Sequence, residues 1–217
     1  MLRVMSSLLI GLLVAGGCNR SPQAVPRPKL DFAQAAKSAI SAVDTDNDGA
    51  VTMQEAESAP GLASTFKLAD VDGNGILQEK EIEQRLRAMV ENSPALVGVK
   101  FEIDRGGQPL ENAVVEIVPE PFLGDAFKSA SATTDDLGMA YVSLSEADLP
   151  FPGAPPGVRC GLYRVKITSP SEPIPAKFNE ATTIGLDVSN DSMTLRTSSV
   201  RISIDGRIRR PRDELEF

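Results

Sequence analysis

DTDNDGAVTMQE at residues 44–55 and DVDGNGILQEKE at residues 70–81 decide how this 217-residue chain is read. Aligned on each other, both stretches carry an oxygen-bearing side chain at positions 1, 3, 5, 9 and 12. The first supplies Asp44, Asp46, Asp48, Thr52 and Glu55; the second supplies Asp70, Asp72, Asn74, Gln78 and Glu81. Gly49 and Gly75 fall at position 6, where the chain turns through a conformation that disfavours a Cβ. Position 7 lends its backbone carbonyl in such a loop, which adds Ala50 and Ile76. A hard cation that takes about six to eight oxygens, calcium above all, fits this alternation of carboxylates. Both stretches match the full D-x-[DN]-x-[DN]-G-x5-E pattern, so two Ca2+ sites are expected. The first offers four carboxylates and the second three, so the second is expected to be the weaker.

The flanking residues continue the pattern. Ala36, Ala39, Ile40 and Val43 recur at helical spacing before the first loop, with Phe32 one turn earlier and Asp31 placed to cap. Leu62, Phe66 and Ala69 precede the second loop, and Ile82, Leu86, Met89 and Val90 follow it. Pro60-Gly61 divides the connection into two short helices. Val51 and Leu77, at position 8, are expected to pair in a short antiparallel contact between the loops. Residues 31–92 thus resemble the compact EF-hand pairs of bacterial secreted proteins, which implies a small all-α unit.

After Pro94 the hydrophobic period changes to two. Val97, Val99, Phe101 and Ile103 share one face, Asp104-Arg105-Gly106-Gly107 makes a turn, and Val114 or Val115 with Ile117 enters a core. Further strands are expected over residues 127–134, 139–144, 162–168, 182–188 and 194–204, seven in all. That is the pattern of an all-β sandwich. Pro109 fixes φ after the glycine turn, Thr134-Asp135 can cap the next connection, and Gly138 allows its reversal. Residues 107–115 (GQPLENAVV) and 133–140 (TTDDLGMA) resemble the transthyretin-like, carboxypeptidase regulatory-like family. Segments such as Tyr163-Arg164-Val165 and residues 174–179 resemble small lipoproteins of planctomycete bacteria. The resemblance implies a non-catalytic sandwich over residues 96–205, and with the helical unit an α+β multidomain chain.

Residues 1–17 read as an export signal: one positive charge at Arg3, a short apolar run, then small residues before Cys18. The ending Ala15-Gly16-Gly17-Cys18 resembles a lipobox, with Ala15 where Leu is usual. That resemblance implies lipidation of Cys18 and a membrane attachment through the lipid. The expected location is the bacterial cell envelope. Residues 18–30 read as a proline-bearing tether outside any core, and residues 206–217 as a solvated charged tail. Cys160 then has no partner within the chain and reads as a half-buried structural thiol ahead of a strand.

Composition narrows the rest. Net charge is −8, which argues against nucleic acid as a partner. The chain has no His, which removes the Ser-His-Asp type of triad and most transition-metal sites. With no Trp and two Tyr, aromatic sugar platforms are scarce. No carboxylate pair outside the loops is nominated for hydrolysis, so no enzyme is expected. The expected function is calcium binding with a structural rather than a signalling role. The alternative is a calcium-dependent module that binds a polysaccharide or an envelope protein, and a hydrolase ranks behind both.

Overall fold

A computed structural model describes residues 23–192 and 199–205. The export signal, Cys18, the first part of the tether, residues 194–198 of the last expected strand and the tail lie outside the described residues.

Among the described residues, four α-helices and two short strands make the N-terminal half. Helix α1 (Phe32–Val43) opens at Asp31, whose carboxylate accepts from the Gln34 amide at 3.0 Å, as the sequence predicts. Strand β1 (Ala50–Thr52) leads into the single-turn helix α2 (Met53–Ala56). Helix α3 (Pro60–Ala69) starts on proline, whose missing N–H costs nothing in the first turn. Strand β2 (Ile76–Gln78) then feeds α4 (Glu79–Glu91). Strands β1 and β2 pair antiparallel with Val51 opposite Leu77, and both of those side chains are fully buried. The expected contact between the loops is therefore present. Leu62, Phe66, Ile82, Leu86 and Met89 all point into the core, as their spacing requires.

Among the described residues two four-stranded sheets follow. One centres on β3 (Val99–Arg105), which pairs antiparallel with β4 (Gln108–Pro109) and β7 (Met139–Val142), and parallel with β10 (Val200–Ser203). The other runs β6-β5-β8-β9 and is antiparallel throughout; its strands are Ala130–Thr133, Val114–Pro119, Gly161–Thr168 and Gly185–Val188. Each of the seven expected stretches contains or overlaps a strand, and the two-residue β4 is an addition. Boundaries differ where side chains replace ladder bonds. Residues 182–184 stay irregular because the Thr182 hydroxyl bonds the Val165 carbonyl at 2.6 Å. Thr134 is buried and donates to the Leu110 carbonyl at 2.6 Å while accepting the Ala113 amide at 2.9 Å, so its hydroxyl ties down the loop at residues 110–113 rather than the expected connection at 135–138. Asp135 accepts the amides of Leu137 and Met139 around the turn at Gly138.

The helices and the sheets are not independent bodies. One hydrophobic cluster runs from Leu62, Phe66 and Leu86 through to Phe101, Ile117 and Tyr163. Helix α3 lies directly on β8 and β9. The approach is so close that a Cβ built on Gly185 falls 1.6 Å from the Pro60 carbonyl oxygen, and one on Gly61 falls 2.9 Å from the Tyr163 amide nitrogen. Residues 31–92 and 96–205, distinct in sequence pattern, thus share one core. The later part of the tether joins them: Arg159 donates to the Pro26 carbonyl at 2.6 Å, and Leu30 packs against the cluster. Among the described residues no helix is long and apolar enough to cross a membrane.

Candidate metal centre

The two loops repeat one hydrogen-bond scheme. At position 1, Asp44 Oδ2 accepts the Gly49 amide and Asp70 Oδ2 accepts the Gly75 amide, each at 3.0 Å. At position 5, Asp48 Oδ1 accepts the Ala50 amide and Asn74 Oδ1 accepts the Ile76 amide, each at 2.8 Å. At position 3, Asp46 and Asp72 accept the amides of Asp48 and Asn74, at 3.2 and 3.0 Å. Gly49 and Gly75 both turn at φ +83°, the left-handed region where a Cβ is penalised. Since a chain carrying these bonds curls inward, the carboxylates at positions 1, 3 and 5 of the first loop, and at 1 and 3 of the second, converge by geometry rather than by attraction.

The glutamates at position 12 close the loops. Glu55 accepts the amides of Thr45 and Thr52, each at 2.9 Å, and Glu81 accepts those of Val71 at 3.1 Å and Gln78 at 3.0 Å. The Thr52 hydroxyl also donates to Glu55 and accepts the Glu55 amide, which makes it the cap of α2. The amides of Thr52 and Thr45 hold the Glu55 carboxyl down at about 2. The Asp48 amide pulls Asp46 in the same direction, but lost hydration and the charges of Asp48, Glu55 and Asp44 together push it above its ordinary value. Anionic neighbours disfavour one another here, and a cation would relieve them.

Asp44, Asp46 and Asp48 bring one carboxylate oxygen each to within 4.8 Å of one another; Asp70, Asp72 and Glu81 do the same in the second loop. Each group is within reach of a single ion. Glu55 is not gathered into the first group, whereas Glu81 is gathered into the second. Asn74 adds a neutral oxygen beside the second group, and its side-chain amide donates to Asp72 at 2.9 Å. Ala50 and Ile76 sit at the first residues of β1 and β2, with Thr52 opposite Ile76 and Gln78 opposite Ala50. The donors are oxygen throughout, with no sulfur or imidazole, and this chemistry suits calcium rather than zinc or copper.

The sequence reading passed over a second polar cluster, buried between α3, α4 and β9. Asp187 Oδ2 accepts from Thr65 Oγ1 and from Arg85 Nη2, each at 2.6 Å. Arg85 Nε donates to Thr65 Oγ1 at 2.7 Å, and its other nitrogens reach Asp191 at 2.7 Å and Ser189 at 2.8 Å. Both side chains of the central Arg85–Asp187 pair are only 5% exposed. Beside it, the buried Glu120 accepts the Gly61 amide at 2.8 Å and pairs with Arg164. Ala59 gives α3 no cap of its own, so Glu120 supplies the missing acceptor from 59 residues away. One signal in the sequence marks this cluster: Arg85 lies on the apolar stripe of Ile82, Leu86 and Met89.

Cys160 is buried rather than half-buried, donates to the Pro94 carbonyl at 3.4 Å, and has its thiol pushed up to about 11 by lost hydration. It is a packing residue. Comparison of the chain with protein-family models, with curated proteins and with solved structures gave no match.

Proposed function

We propose that this is a calcium-binding protein of the bacterial cell envelope, in which an EF-hand pair and a transthyretin-like sandwich form one body and calcium is a structural element. The observation that carries the reading is the position-for-position repetition of one hydrogen-bond scheme in two loops, each converging carboxylates on one point. In the first loop Asp44, Asp46, Asp48, Ala50, Thr52 and Glu55 would hold the ion; in the second, Asp70, Asp72, Asn74, Ile76, Gln78 and Glu81. The bound ion supplies positive charge where the loops converge carboxylates. The chain's own part is to hold the loops shut through the Glu55 and Glu81 clasps. An export signal and a lipidated Cys18 complete the reading and place the protein outside the cytoplasm, attached through its lipid.

A structural rather than a signalling role is supported by how the helices are tied. A sensor works by swinging its helices apart on loading. Here α3 and α4 are both bonded to Asp187, so such a swing would break a buried ion pair. External calcium of about 1 mM against a site affinity of about 10 μM stabilises the fold by roughly 2.7 kcal/mol per site. Thermal melting in 1 mM calcium and in excess chelator tests this. A melting temperature several degrees higher in calcium, with an unchanged radius of gyration below the transition, is expected; coincident melting curves would remove the structural role.

A further inference from the structure

We infer that Asp187, a residue of the sandwich, is a positioning residue for the second calcium loop: it fixes α3 and α4 relative to each other and so presets the spacing of Asp70 and Glu81. The inference rests on the calcium reading above. Helix α3 runs directly into Asp70, and α4 contains Glu81 in its first turn. Thr65 lies five residues before Asp70, and Arg85 one helical turn after Glu81. These two side chains meet on the same oxygen of Asp187, and they also bond each other at 2.7 Å. The three groups form a closed triangle with a vertex on each element, and all three are buried. A triangle of bonds cannot shear, so the ends of the second loop are held at one separation whether or not an ion is bound.

Among the described residues the first loop has no such triangle of side-chain bonds, although α1 packs against residues 121–123. Among the described residues its flanking helices α1 and α2 contribute no side chain to the Asp187 or Glu120 clusters, and α2 is a single turn resting on α3. The second loop, poorer by one carboxylate, is the one the sandwich braces. Bracing lowers the ordering cost of binding, and so offsets the missing charge.

The test is Asp187→Asn in the chain from Gln23 onward, measured in two backgrounds that silence one loop each. With Glu55→Gln present, calcium affinity of the remaining second loop should fall about tenfold on Asp187→Asn. With Glu81→Gln present, affinity of the first loop should stay within about twofold. Equal losses in both backgrounds, or none in the first, overturn the inference. A second readout needs no ion: in chelator, amides at the end of α3 and the start of α4 should exchange about tenfold faster in Asp187→Asn, and those of α1 unchanged. Unchanged exchange in α3 and α4 also overturns it. If Asp187→Asn does not fold, Thr65→Val removes one side of the triangle and leaves the Arg85–Asp187 pair, with the same outcomes expected at smaller size. A parent chain that takes up no calcium defeats the proposed function instead, and the exchange measurement then decides the bracing alone.

Discussion

Arg85→Ala is expected to cost about 3–5 kcal/mol of folding stability, because it removes one partner of a buried ion pair and strands the other. Asp187 is 5% exposed on its side chain and takes charge-assisted bonds from Arg85. Without the guanidinium its carboxylate keeps, among the described residues, the hydroxyls of Thr65 and Ser189 as side-chain partners. Two hydroxyls do not replace a cation in a medium that solvates charge poorly. Asp191, at the rim, loses a partner too, but water reaches it. Urea denaturation of the variant measures the loss. The control is Arg87→Ala, two residues along, whose partners are Glu83 and Glu91 on the exposed face of the same helix and the ring of Phe32, 4.6 Å away, contacts worth about 1 kcal/mol or less each at a surface. Its midpoint should move far less than that of Arg85→Ala. An Arg85→Ala midpoint as little changed as that of Arg87→Ala would show that the interface is held by packing alone.

Gly185→Ala should be as damaging by a different route. A Cβ at this position needs the space of the Pro60 carbonyl, at 1.6 Å from the oxygen and 2.3 Å from the carbon. Both obstructing atoms are backbone, so no side chain can rotate away. Either β9 or the start of α3 must retreat, and either movement opens the seam that buries Leu62 and Leu186. Overpacking of this kind costs about 1–3 kcal/mol when side chains can adjust, and the upper end or beyond is expected where they cannot. Melting of the variant beside the parent chain reads this out. An alanine variant within about 0.5 kcal/mol of the parent would mean that the helix and the strand are not in contact in solution.

These two positions mark where the sequence stops being readable. Local signals carried far: a helix cap at Asp31, the loop glycines, the period-two runs and the turn at Gly138 are each decided within a few residues. They gave the loop residues, the helices and seven strands. The seam between helices and sheets depends on pairs such as Thr65 with Asp187, 122 residues apart, and Gly61 with Glu120, 59 apart. No period or spacing joins such residues. A glycine at the start of a strand, as at 185, has the same appearance whether it ends a turn or admits a helix backbone. Arg85 is the exception, since a charge on an apolar helical stripe calls for a buried partner. For the same reason residues 31–92 and 96–205 looked separable: each has its own hydrophobic period, and the period says nothing of what covers the outer face of a sheet. The Pro-rich segment before Leu30 has no period at all, and its bond to Arg159 was invisible for that reason.

Calorimetric titration with calcium tests the central claim most directly. The sample is the chain from Gln23 onward, stripped with chelator, together with its Glu55→Ala and Glu81→Ala variants. Two binding events in the parent chain and one in each variant are the predicted result, because each glutamate closes only its own loop. A folded, stripped parent chain that evolves no heat and takes up no calcium would contradict the account, and the repeated loop geometry would then be a fold feature without an ion.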